Sequence, residues 1–469
     1  MRALRIFVVV VIAGLISVGF ALDSEEREFD RLSDPVLVAV PVASAGTWFC
    51  PGGSDIGGRA AVGLEIVNAG GGVARAEVSA FRSDSLDVPS PVVVVVEPGS
   101  RAVISLPELV PGSEWVGAVV EVFDPDVVVE QTYDGPTGTD RSPCFTRTAR
   151  QFVVTDGATR ELFHGEQMML LLLNPFHEDA VVDVAFDADV GPDSLSAVVV
   201  PGRRVVAVDV TGEVTVAERV SARIDVVAGR IAAARVQVRN SDEVRGLTVT
   251  PATPNGAVVS MLPSVSRVEG RTDIVTVTNP SATDTAEVDL EILTDGTTAL
   301  DPIELTVRPG RTVRVDLSIE ARLSELDSFG LLVRSLTGVP VAAMVESTVP
   351  LGVDEVAGVA AAPAQDAAAL RWVAPLDGAA SSIVVANPST SEIATIDILV
   401  VDVEGRHLIT TVELGAGRRT SFEAADLGDG RPIVVIESSA PVVVGRDIVG
   451  FTSRQISSAI IADEALVIE

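Results

Sequence analysis

Four times along its 469 residues the chain returns to one short pattern, an apolar, strand-like run that ends in Asn. The run reads V-G-L-E-I-V-N-A-G at 62–70, M-L-L-L-L-N-P-F at 169–176, I-V-T-V-T-N-P-S at 274–281 and I-V-V-A-N-P-S at 383–389. Its end points are Asn68, Asn174, Asn279 and Asn387, spaced by 106, 105 and 108 residues. A second mark keeps step with the first. The turns Pro98-Gly99, Pro201-Gly202 and Pro309-Gly310 follow their Asn by 30, 27 and 30 residues, and Ala416-Gly417 takes that place in the fourth copy. An arginine follows each turn: Arg101, Arg203, Arg311 and Arg418. Self-similarity at a fixed period means that one structural unit has been copied, so the fold of a single copy governs the whole.

Within a copy the apolar residues alternate with period two, as in A-E-V-D-L-E-I at 286–292 and R-T-V-R-V-D-L at 311–317. Alternation puts Val and Leu on one face of a sheet and the charged residues on the other. Turn pairs such as Asp295-Gly296 and Glu404-Gly405 separate the runs. Six to eight short strands in about 100 residues, each with one apolar face, describe an antiparallel sandwich. The expected fold class is all-β: four tandem immunoglobulin-like antiparallel β-sandwich domains after an N-terminal hydrophobic helix. The expected boundaries are 1–34 for the signal or anchor helix and acidic linker, then sandwiches at 35–150, 151–255, 256–355 and 356–469. Each landmark Asn reads as a turn former that bonds nearby backbone at a strand end, since Pro after it stops the ladder. The Ala-rich stretch 357–369 reads as a linker into the fourth copy.

The first 30 residues read as an export signal. Arg2 and Arg5 precede the uncharged run 6–22, and Asp23, Glu25, Glu26, Glu28 and Asp30 follow it, which directs the rest of the chain out of the cytoplasm. The run just reaches the lower limit for a membrane span, while Gly19 and Ala21 fit a cleavage site. Residues 6–22 are therefore expected to anchor the chain in the cytoplasmic membrane, with secretion after cleavage as the alternative. In that setting Cys50 and Cys144, the only two cysteines, are expected to form a disulfide.

Charge narrows the partners. With 66 acidic and 34 basic side chains the formal net charge is −32, which opposes binding to nucleic acid or to anionic lipid. The catalytic inventory is thin. His164, His177 and His407 fall at unrelated repeat positions, and no G-x-S-x-G elbow, H-E-x-x-H, P-loop or C-x-x-C is present. No catalytic residue, cofactor or metal is assigned. The carboxylates of Asp183, Asp187, Asp189 and Asp193 cluster in sequence, and Asp187, Asp189 and Asp193 make a weak Ca²⁺ candidate, although Asp183 and Asp187 fit the solvent face of a strand equally well.

At Trp48-Phe49-Cys50-Pro51-Gly52-Gly53 the chain resembles an uncharacterised actinobacterial family of exported, membrane-anchored proteins with a W-x-C-P-G opening and tandem sandwich repeats. The resemblance implies an envelope location and a β-rich fold, and it transfers no catalytic residues. The expected function is a non-enzymatic cell-envelope spacer or interaction scaffold, four domains projecting in line from the membrane toward envelope proteins. The alternative is a protein that binds wall glycan, for which the chain is poor in aromatic sugar platforms (4% Phe, Trp and Tyr).

Overall fold

The computed structural model describes residues 39–40 and 46–468, apart from 86, 125, 192–193, 268–269, 297–299, 351–355, 379–380, 429–430, 450–453 and 462–464. The hydrophobic run 6–22 lies outside these residues. Among the described residues no helix is long and apolar enough to cross a membrane.

The described chain is all-β, its sheets antiparallel apart from two short parallel pairings, with helix confined to single turns. One pairing order recurs around each landmark Asn. In the second copy the strands run Gln151–Val154, Gln167–Asn174, Ala180–Ala188, Ser194–Val200, Arg204–Asp209, Val220–Ala228, Ala232–Asn240 and Val244–Pro251. Numbered one to eight, they pair as 4-3-6-1 in one sheet and 5-2-7-8 in the other. The corresponding strands of the other copies pair in the same two orders; in the fourth, strands six and seven merge into one long strand, Ile433–Val449. A single helical turn after strand five closes the end of each sandwich-like pair, and its leading residue, Leu106, Val210, Leu317 or Ala424, is buried.

Burial patterns separate two kinds of strand. Third strands such as Ala74–Arg82 and Ala286–Leu293 alternate buried and accessible positions, so one face meets water. Gln167–Asn174 is buried from its second residue onward. Met168, Leu170 and Leu172 enter the core of their own copy, whereas Met169, Leu171 and Leu173 join the core of the first copy. The continuous run M-M-L-L-L-L is thus the signature of a strand covered on both faces.

That double coverage follows from how the copies are arranged. The eighth strands Gly138–Pro143, Val244–Pro251, Ala357–Pro363 and Arg454–Ser458 each lie against the next, and the last lies against the first. Val244–Pro251 also pairs in parallel with Ala357–Pro363, through Val244↔Ala357 and Arg245↔Gly358. Copy four therefore returns to copy one, and the copies close into a ring. This corrects the in-line arrangement, in which the first and last copies would share no surface.

The Ala-rich stretch 357–369 is a second correction. It forms the strand Ala357–Pro363 and the start of the strand Ala367–Pro375. Ala360, Ala361 and Ala362 are buried where the eighth strand is flanked by neighbours on both edges. Small side chains let backbones approach there, and this packing overrides the low strand propensity of Ala.

Candidate functional site

The four landmark asparagines perform one local task. Each is buried, and its Nδ2 donates to a carbonyl four or five residues on and to the end of the fourth strand: Gly72 and Val96, Glu178 and Val200, Asp284 and Val307, Glu392 and Leu414. Each Oδ1 accepts the N–H two residues ahead, from Gly70, Phe176, Ser281 or Ser389. The Asn thus ties the loop after strand two to the neighbouring sheet.

The disulfide Cys50–Cys144 is present, across a sequence separation of 94. It links the first strand of copy one, Thr47–Ser54, to the residue just after its eighth. His164, the last residue of the helical turn Glu161–His164, and His177, in the loop after strand two, are exposed, whereas His407 stands on the strand Gly405–Leu414, 3.2 Å from Asp402. Of the carboxylates considered for calcium, Asp183 accepts the Ala197 N–H at 2.8 Å, and Asp187 meets the Arg311 guanidinium at 2.8 Å. Asp189 is exposed, and Asp193 lies outside the described residues. Among the described residues no group of three or more His, Cys, Asp or Glu is placed to hold a metal ion.

The arginines after the turns have a common use that the sequence did not disclose: each reaches the preceding copy around the ring. Arg203 stacks over Phe81 of copy one at 5.6 Å, Arg311 pairs with Asp187 of copy two, and Arg418 donates to Thr294 of copy three at 3.4 Å. Arg101 donates to the carbonyls of Leu376 and Pro432 of copy four at 3.1 and 2.8 Å. The turn itself presses close at this last joint, since a Cβ on Gly99 would stand 2.0 Å from the Asp402 carbonyl oxygen.

The joint between copies one and four holds the most charge. Glu65 and Glu130 face each other across paired strands of copy one, Ala61–Asn68 and Val127–Gly135, and neither is exposed. Arg141 lies 2.6 Å from Glu130 and 3.3 Å from Glu65, and its other nitrogen bonds Asp377 of copy four. Arg446 of copy four bonds Glu130 at 2.7 Å, and Arg101 and Arg431 reach Glu65 at 3.1 and 3.2 Å. Burial, with the nearby Glu130 adding to it, raises the Glu65 pKa. Burial would raise Glu130 as well, but Arg141 and Arg446 outweigh it and hold that carboxyl below its ordinary range. The available sequence signal was Glu65 itself, an acid in an apolar run whose counterparts are Leu171, Thr276 and Val384.

Asp140 occupies the ring centre, on the eighth strand of copy one. Its carboxylate accepts the N–H of Val249, on the eighth strand of copy two, at 2.5 Å. Burial pushes its pKa from the ordinary 3.8 to about 7, against hydrogen bonds from the backbone N–H groups of Val249 and Arg141. A raised folded-state pKa means that the native protein holds this proton more tightly than the unfolded chain. The associated stability is fully present below pH 3.8 and is lost as pH rises toward 7. It amounts to about 4 kcal/mol at most. Asp140→Asn, which stays neutral, is expected to flatten the fall in unfolding free energy between about pH 5 and pH 7. Denaturant titrations at several pH values measure this, and an unchanged slope would refute the assignment.

A cleft of about 400 Å³ opens at the joint between copies two and three. Arg219, Arg308, Arg311 and Arg314 line it, together with Asp187, Asp189 and Asp156. Asp156 is buried at the joint, where it accepts the Thr276 hydroxyl at 3.1 Å and stands 3.7 Å from Arg314.

No curated protein matches the chain. A family model described as Family of unknown function (DUF5719) matches residues 233–463, nearly all of the last two strands of copy two with copy three and most of copy four, and not the opening at 48–53.

Proposed function

We propose that this chain is a non-enzymatic scaffold outside the cytoplasm, in which four immunoglobulin-like sandwiches form a rigid platform for other envelope components. The observation that carries this reading is the closed cycle of copies, in which every joint is bridged by a side chain from the copy that follows. A ring pinned in this way holds its outer loops in fixed relative positions, which suits simultaneous contact with several partners. The disulfide is compatible with an oxidising compartment, and residues 6–22 would supply the export signal, retained as an anchor or removed.

The test joins topology to partner capture. Alkaline phosphatase fused to the C-terminus should be active, and crosslinking in cells should recover proteins joined to the chain. An inactive fusion would overturn the location. Retention on isolated wall polysaccharide without protein crosslinks would favour glycan binding instead, and a hydrolase activity abolished by a single carboxylate change would make the chain an enzyme.

A further inference from the structure

We propose that the cleft between copies two and three is a binding site for a phosphomonoester, a small ligand carrying a terminal phosphoryl group. The inference is independent of where the chain resides.

The first ground is charge that runs against its background. The chain carries a formal −32, yet four arginines line one cleft. Two of them are held by carboxylates, Arg311 by Asp187 at 2.8 Å and Arg314 by Asp156 at 3.7 Å. The other two, Arg219 and Arg308, are exposed and make no ion pair among the described residues. Side chains that merely tied the joint together would be matched across it, as they are between copies one and four.

The second ground is a comparison that the repeat itself provides. Arg314 pairs with Thr276, three residues before the landmark Asn. In the other copies the residue at that register is Val103, Ala207 or Ser421. Arg308 directly follows the fourth strand, where the other copies have Glu97, Pro201 and Gly415. The corresponding cleft between copies three and four, about 220 Å³, is lined by residues such as Glu291, Ile292, Leu332, Pro388 and Thr390, and no arginine lines it. Closing a joint therefore requires neither Arg308 nor Arg314. Their presence at one joint only is a property of that cleft.

The ligand class follows from geometry and charge. Guanidinium forks match phosphate oxygens with paired hydrogen bonds, and Arg219 and Arg308, offset in part by Asp189, leave the lining net positive toward the near −2 charge of a phosphomonoester. Asp187 and Asp189 on the same wall, and the acidic surface beyond, oppose an extended polyanion. The volume admits a phosphorylated group about the size of a sugar.

The test is calorimetric titration of the full chain at constant ionic strength with inorganic phosphate, glucose 6-phosphate and glucose. Both phosphates should bind and glucose should not. Tighter binding of the sugar phosphate would mean that the cleft also reads the carbon frame, and equal binding would mean that it reads the phosphoryl group alone. Arg308→Ser with Arg219→Ser, which breaks no ion pair, should weaken phosphate binding about tenfold or more at an unchanged melting temperature. Absence of binding at about 10 mM phosphate, weaker than any useful site, would overturn the proposal. So would binding that the double variant leaves intact.

Discussion

Replacing Arg141 by Met is expected to lower the unfolding free energy by about 3–5 kcal/mol, because it strips a shared counter-ion from buried carboxyl groups. Arg141 is 5% exposed and touches Glu130, Glu65 and Asp377 together. Without it Glu65 keeps Arg101 and Arg431, and Glu130 keeps Arg446 alone. The pKa of both glutamates should then rise, Glu65 from an already raised position and Glu130 from below its ordinary range, since the group that held them down is gone. A carboxyl with a raised folded-state pKa stabilises at low pH and loses that contribution as pH rises. The deficit of the variant should therefore be larger at pH 8 than at pH 5. Arg141→Lys keeps the charge but not the fork, and should fall between the two. Because Arg141 also bonds copy four, hydrogen exchange should quicken around Leu376 and Ile433 as well as within copy one. Denaturant unfolding checks the first result, and a loss below about 1 kcal/mol, the range of an exposed pair, would mean that the cluster is solvated.

Removing the disulfide, as Cys50→Ala with Cys144→Ala, is expected to cost about 2–5 kcal/mol. The bond closes a loop spanning a sequence separation of 94, which embraces nearly all of copy one. It joins the two sheets at a point where Phe49 and Phe145 already form a backbone bridge, so the native fold should survive at low temperature. Reduction of the unaltered protein should give the same drop in denaturant midpoint as the double variant. An unchanged midpoint would mean that this bridge and its neighbours constrain the loop without the covalent link.

Much of the architecture could be read before any coordinates. Period-two alternation at 286–292 gives the strand Ala286–Leu293, and the landmark asparagines close their loops by the bonds expected of Asn at a strand end. The ring could not be read, because its signals look ordinary one residue at a time. M-M-L-L-L-L at 168–173 marks a strand between two cores, but an apolar run does not name the second core. Arg101, Arg203, Arg311 and Arg418 recur visibly in sequence, yet what they touch belongs to other copies. Ala357–Pro363 reads as a spacer because its residues are small, and they are small because of what lies on either side. Asp187 looked like one carboxylate among several, and Arg311, its partner, stands 124 residues away. The cleft has the same difficulty, since Arg219 and Arg308 become neighbours only once two copies have docked.

The strand Ala39–Val40 pairs with Ala465–Val467, and Arg141 meets a residue 236 positions further on. Synthesis delivers these partners far apart in time. While the ribosome is still making copies two and three, Arg141 has its glutamates but lacks Asp377, and the face that copy one will show to copy four is uncovered. Contacts this distant slow the final step and leave acidic and apolar surface open meanwhile. A nascent chain of this kind must stay soluble half-built, and a formal net charge of −32 favours that by keeping separate chains apart.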